Sequence, residues 1–236
     1  MKKSLVTLFL VCLAVSAMAV DLPKQGFGLQ VGWAQPILRI NDATHKDTLN
    51  NVIKMNGLKV GVLYDASYIA GFGSTMGINY TLGIYNGGWK STNAYGMPYP
   101  RSRTIISYHQ MEVFVDWQYK FEIAKETYLT LYTGPTIQCG VGLSMRVDKQ
   151  EDEGIPYETM RYDGYTNDVH DQQFKRLNVT WGVGAAFQYK RYFLRGGYDF
   201  GLLNPHKYVD YESGIHSRGR LDQWSIKIGM FLWYAN

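Results

Sequence analysis

From Gln110 to Phe121 the chain alternates. Met111, Val113, Val115, Trp117, Tyr119 and Phe121 fall in one register, and Gln110, Glu112, Asp116, Gln118 and Lys120 in the other, with Phe114 the single intruder. Successive side chains of a strand point to opposite faces, so the stretch predicts a strand with one apolar and one charged face. Seven further segments alternate in the same way: 27–35, 58–70, 72–85, 128–145, 177–189, 192–202 and 222–234. Their apolar registers run through residues such as Leu29, Val31 and Trp33, or Trp224, Ile226, Ile228 and Met230. In 128–145 the apolar register takes in Ile137, Cys139, Val141 and Leu143, and Pro135 predicts a bend.

The connections alternate too. Short ones, near Gly71, at 122–127 and at Lys190-Arg191, exchange with long ones at roughly 36–57, 86–109, 146–176 and 203–221. An even number of strands, short turns at one end and long loops at the other are the signature of an outer-membrane barrel. The fold class this predicts is all-β, an eight-stranded antiparallel up-and-down transmembrane β-barrel. Its long loops lie outside the cell and its termini meet at the periplasmic end.

The competing architecture is a soluble sandwich or a lipocalin-like barrel, in which the apolar face would be the core. The polar register argues against it. That register is rich in Gly, Thr, Gln and Asn, and its charges are few and spaced. The apolar register ends in rings, among them Trp33, Tyr85, Trp117, Phe187 and Trp233, which suit the boundary between hydrocarbon and headgroups. Mean hydropathy is −0.23, yet aromatics make up 15% of the chain, with 19 Tyr and 25 Gly. A barrel with a polar lumen accounts for both. Val113 and Val115 are therefore expected to face lipid, and Glu112 and Asp116 the lumen.

Lys2 and Lys3 precede an apolar run from Leu5 to Val15, and Ala17-Met18-Ala19 offers a cleavage site. Residues 1–19 read as a secretory signal peptide and 20–236 as one barrel domain. Half of the +4 net charge comes from those two lysines, so no nucleic-acid partner is implied. Cleavage leaves Cys139 as the one cysteine, which excludes an internal disulfide.

The glycine-spaced opening "GFGLQVGWAQ", the strand "YLTLYTGPTIQCGVG", the strand "LRGGYDFGLLN" and the closing "QWSIKIGMFLWY" together resemble the small eight-stranded barrels of the outer membrane protein beta-barrel domain family, which includes PorT-like proteins. The resemblance spans the mature chain and brings no catalytic residue with it. It implies outer-membrane lipid and the barrel-assembly machinery as partners, and a protein partner through the extracellular loops. Barrels of this kind often end on an aromatic residue. Here Ala235 and Asn236 follow Trp233-Tyr234.

No enzyme motif or cofactor site is recognisable. His45, His109, His170, His206 and His216 are scattered and show no metal-ligand spacing. Asp148, Glu151, Asp152 and Glu153 lie in the acidic stretch 148–158, which reads as a solvated loop, with a divalent-cation site as the sharper alternative. Lys59, Asp65, Glu112, Asp116, Lys120, Arg195, Asp199 and Lys227 fall in the lumen register, four acids and four bases. Charges buried there must pair, so they predict a closed ion-pair network that plugs the barrel. Asp199 is expected diagonal to Lys227. The function this implies is structural or interactive: envelope integrity, adhesion or a secretion assembly. A narrow pore for small solutes is the alternative, and a lipid-modifying enzyme a more distant one.

Overall fold

The computed structural model describes residues 25–235 apart from 42–49, 69, 92–99, 154–157, 166–173, 206–208, 211–214 and 217. The signal-peptide reading at 1–19 lies outside the described residues, as do His45, His170 and His206.

The strands in chain order are β1 (Gln25–Asn41), β2 (Asn50–Lys54), β3 (Asn56–Ser67), β4 (Phe72–Asn86), β5 (Lys90–Ser91), β6 (Arg101–Ala124), β7 (Thr127–Gln150), β8 (Glu158–Asp163), β9 (Leu177–Tyr189), β10 (Tyr192–Gly201), β11 (Val209–Asp210), β12 (Ile215–His216) and β13 (Arg218–Ala235). Eight of them close a ring. Each of β1, β3, β4, β6, β7, β9, β10 and β13 pairs antiparallel with the next, and β13 returns to β1 from Gln25↔Ala235 to Asn41↔Arg218. Closure removes the free edges that an open sheet would present. The fold is an eight-stranded antiparallel β-barrel.

One end carries the tight turns. Lys125-Glu126 and Lys190-Arg191 connect β6 to β7 and β9 to β10, with Glu126 and Lys190 at positive φ of 56° and 54°. Such turns follow the right-handed twist of the flanking strands. The Lys190 amide donates to the Glu126 carbonyl at 2.8 Å, tying the two turns together.

At the other end the segments read as loops are partly strand. β6 begins at Arg101 and β7 continues to Gln150, so much of 86–109 and the start of 146–176 form a two-stranded ribbon rising above the ring. β2 and the outer part of β1 occupy much of 36–57. Pro135 does not end the strand, since β7 runs through it. The ladder to β6 is interrupted there, with Val115 and Asp116 unpaired opposite Gly134 and Pro135. Proline has no N–H for the ladder. Gly134 approaches so closely that a Cβ would stand 2.1 Å from the Val115 carbonyl oxygen.

Along the ring the outward side chains are apolar and uncovered. On β6, Met111, Val113, Val115 and Trp117 are exposed, while Gln110, Glu112, Asp116, Gln118 and Lys120 are buried inside. The same division holds on β13, where Trp224, Ile226, Ile228, Met230 and Leu232 face out and Gln223, Ser225 and Lys227 face in. Trp224 to Trp233 is ten residues of strand, within the roughly 9–11 that a tilted strand needs to cross a bilayer. Phe114, the intruder, faces inward. Its ring lies over Gly77, where a Cβ would come within 2.8 Å of it.

Above His109 the division reverses. Tyr108 and Ile106 turn inward and are buried, while Ser107 and Arg103 turn out. The facing of β6 itself does not change, since its even-numbered residues point inward on both sides of His109 and only their polarity differs. The register shift in the β6–β7 ladder at His109/Gln110 changes the facing of β7. One extra residue in β7 at that point moves Leu143 to the inside, against the lipid-facing position expected from its alternation with Val141.

Candidate functional site

The lumen at membrane depth is filled from β6. Glu112 accepts from Lys59 Nζ of β3 at 2.7 Å, Gln110 at 2.6 Å, Gln223 of β13 at 2.8 Å and Thr81 at 3.2 Å. Lys59 and Glu112 are each 1% exposed. One turn-ward step of the same strand, Asp116 is paired with Arg195 of β10. Lys120, further down, is paired with Asp65 of β3, which also accepts from Gln118 and, at 3.1 Å, from Thr75. Charges of β6 at every fourth position therefore reach strands that are not its neighbours in the ladder. Two of the pairs reach past the single strand β4 and the third past β7 and β9, and together they fill the lumen at this depth.

The Arg195 guanidinium carbon lies over the Tyr132 ring, 3.7 Å from its centroid, and 5.5 Å from that of Phe114. The rings supply a face for the guanidinium where water is excluded.

Six of the eight charged residues read from the sequence thus form three ion pairs. The other two are not joined as expected. Lys227 stands opposite Arg195 in the ladder and Asp199 opposite Gln223, so the register carries Asp199 past the diagonal of Lys227. Among the described residues neither makes an ion pair. The Lys227 ammonium instead sits 5.6 Å above the Phe114 ring. The connection between β10 and β13 is too long to fix their register, as a tight turn would.

Above this layer the lumen becomes apolar. Leu38, Met55, Ile106, Tyr108, Leu143, Tyr165, Phe174 and Leu221 form one buried cluster. Tyr165 and Phe174 come from the connection between β8 and β9 and reach into the mouth. They enclose a cavity of about 40 Å³. None of these residues was read as interior from the sequence, because most lie in segments read as loops.

The acidic stretch does not act as a unit. Asp148 belongs to β7 and its carboxylate is taken up by Arg103 at 2.8 Å, Arg146 at 2.7 Å and Thr159 at 3.0 Å. Hydrogen bonding from Arg103 first, and then from Arg146 and Thr159, holds its pKa down to about 2. Glu151, Asp152 and Glu153 are exposed. Among the described residues no three His, Cys, Asp or Glu side chains converge as a metal site would require. His109 lies on β6 and His216 in β12.

No family model and no curated protein matches the chain. Solved structures of small barrels are similar to it. Ail, the attachment invasion locus protein of Yersinia pestis, is 11% identical over 89% of this chain and 100% of its own, with a TM-score of 0.41. Neisserial surface protein A is 11% identical over 87% and 96%, with a TM-score of 0.38. The N-terminal β-barrel domain of Pseudomonas aeruginosa OprF is 8% identical over 85% and 97%, with a TM-score of 0.26. At such distances the barrel assignment rests on this chain's own closed strand pairing.

Proposed function

We propose that this chain is an integral outer-membrane barrel with a closed lumen, which holds its long connections at the cell surface for contact with a partner. The observation that carries the reading is the reversal along β6. Below His109 the strand is apolar outside and polar inside, whereas directly above it the apolar Tyr108 and Ile106 are buried inside and the polar Ser107 and Arg103 stand outside. A soluble barrel has water on the outer face throughout and needs no such reversal. A barrel half in hydrocarbon and half in water needs one at the boundary.

The second element is closure. Three ion pairs within the lumen lie beneath an apolar cluster in the mouth, so an ion entering the barrel meets a desolvation barrier before it meets a charge. Eight strands enclose only enough space for side chains. This favours a structural or interaction role over a narrow pore. A partner in a secretion assembly, as the PorT-like resemblance implies, is one form of that role, and assembly by the barrel-assembly machinery belongs to the same reading. No group of side chains in the site calls for enzymatic chemistry.

Planar-bilayer recording of the purified protein tests closure. The expected result is no steady conductance. Stable single-channel steps that change ion selectivity in Lys227→Glu would replace the plug with a pore.

A further inference from the structure

Just above the apolar belt, on its outside, sits a carboxylate with no exposure to solvent. Asp222 of β13 is 0% exposed although it faces outward. Its oxygens accept from Arg39 Nε at 3.1 Å, Arg220 Nη2 at 2.8 Å, the Tyr198 hydroxyl at 2.8 Å and the Gly201 amide at 3.0 Å. The local cause is the shortness of β10. It stops at Gly201 while β13 continues outward, and Asp222 takes the amide at that stop.

Two arginines thus share one acid, and their own side chains are 43% and 49% exposed. Lys54 stands across the ladder from Ile37, which is itself opposite Asp222. It is exposed and adds a third cation to the patch. The patch is therefore positive and its guanidinium groups are held in place. Its height is fixed by Trp224, which lies on the same face two residues closer to the belt, a rise of about 7 Å. The Trp224 ring packs on Tyr198, 4.6 Å between centroids, so the girdle and the cation cluster share a residue.

We infer that Arg39, Arg220 and Lys54 form a binding site for the phosphate of a lipid headgroup in the leaflet at the long-connection end. Guanidinium forks match phosphate oxygens in pairs, and a cation cluster at this depth meets the headgroup layer with its acyl chains along the apolar belt. Asp222 is the positioning residue. The inference rests on the membrane reading.

The molecule contains its own control. Arg103 and Arg146 clamp Asp148 in the same way, but Arg103 is eight residues beyond Met111 on β6, about 26 Å along the strand and above the headgroups.

The test is native mass spectrometry of the folded full barrel in detergent, titrated with dioleoyl phosphatidic acid against dioleoyl phosphatidylcholine. The phosphomonoester lipid is expected to be retained at least tenfold better. Arg39→Gln/Arg220→Gln/Asp222→Asn should reduce that preference about tenfold, whereas Arg103→Gln/Arg146→Gln/Asp148→Asn should leave it unchanged. The heat-dependent gel shift of barrels verifies folding. If the first triple variant does not fold, Lys54→Gln leaves the Asp222 cluster intact and should lower the preference about threefold. Equal loss in both triple variants, or no loss with Lys54→Gln when it stands in, overturns the inference. Displacement by equimolar inorganic phosphate assigns the site to free anions and overturns it too. A protein that never enters bilayers fails the membrane reading, while one that inserts and shows no lipid preference fails this inference alone.

Discussion

The middle of the lumen and its mouth are lined by the same strands and packed by opposite means. At the level of Glu112 and Asp116 the interior is ionic, and at the level of Ile106 and Leu143 it is aliphatic and aromatic. What lies outside each level differs as well: Val113 and Val115 below, Arg103 and Arg146 above. The interior composition is thus dictated from outside. Where the outer face meets hydrocarbon, apolar burial gives no advantage to either face, and cohesion must come from polar contacts in the lumen. Where the outer face meets water, the hydrophobic effect is restored and the inside becomes an ordinary core.

The largest break in this comparison is expected from Lys59→Ala. It leaves the Glu112 carboxylate uncompensated and should cost about 3–5 kcal/mol, read by urea unfolding in lipid vesicles. Lys59→Ala/Glu112→Ala should recover a large part of the loss. Lys227→Ala, which breaks no ion pair among the described residues, should cost much less. Equal losses for Lys59→Ala and Lys227→Ala would mean that the pairs do not organise the lumen.

In the mouth, Ile106→Ala removes buried aliphatic volume at roughly 2–5 kcal/mol. The loss should be local. Protease should cut the ribbon of 101–109 and 142–150 faster while the ring stays folded, and a matching loss of the global transition would show that the two levels are one cooperative unit.

Position on one face of one strand gives the third test. Val115→Arg places a cation in hydrocarbon and should cost about 2–4 kcal/mol near the midplane. Ser107→Arg, outward on β6 above the reversal, should stay within about 0.5 kcal/mol. Similar costs at both positions would remove the membrane boundary from β6.

The smallest effect concerns acid. Asp148 has its folded pKa lowered to about 2, so its contribution is complete above the ordinary aspartate value near 4 and is lost as pH falls through about 2. Asp148→Asn should lower the stability of the outer β6–β7 ribbon at pH 7 and leave it nearly unchanged near pH 2, flattening the acid limb monitored by hydrogen exchange of 144–149.

The membrane half of the barrel was legible because one rule governs all of it. Alternation with a constant phase located the cores of all eight ring strands, and it placed the lumen charges on their inner face. The mouth was not, and β6 shows why. In "RSRTIISYHQ" the apolar residues Ile106 and Tyr108 are even-numbered, whereas Met111, Val113 and Val115 are odd. A change of phase reads as the end of a strand when it is in fact a strand entering another solvent. In β7 the error runs the other way. The phase appears unbroken from Cys139 to Leu143, and only the extra residue between them turns Leu143 inward. The Asp222 cluster gave no signal, since its parts are separated by more than 180 residues from Arg39 to Asp222.

The bulge at His109–Gln110 is a depth gauge built into the chain. Above it, residues inserted or deleted in pairs lengthen or shorten the exposed ribbon and leave every lipid contact as it was. Below it, a single inserted residue rotates the remainder of the strand by one face, and Glu112, Asp116 or Lys120 exchanges its partner for acyl chain. Variation in length is therefore cheap on one side of that point and prohibitive on the other, so the surface ribbon can diversify while the span beneath it keeps its residue count.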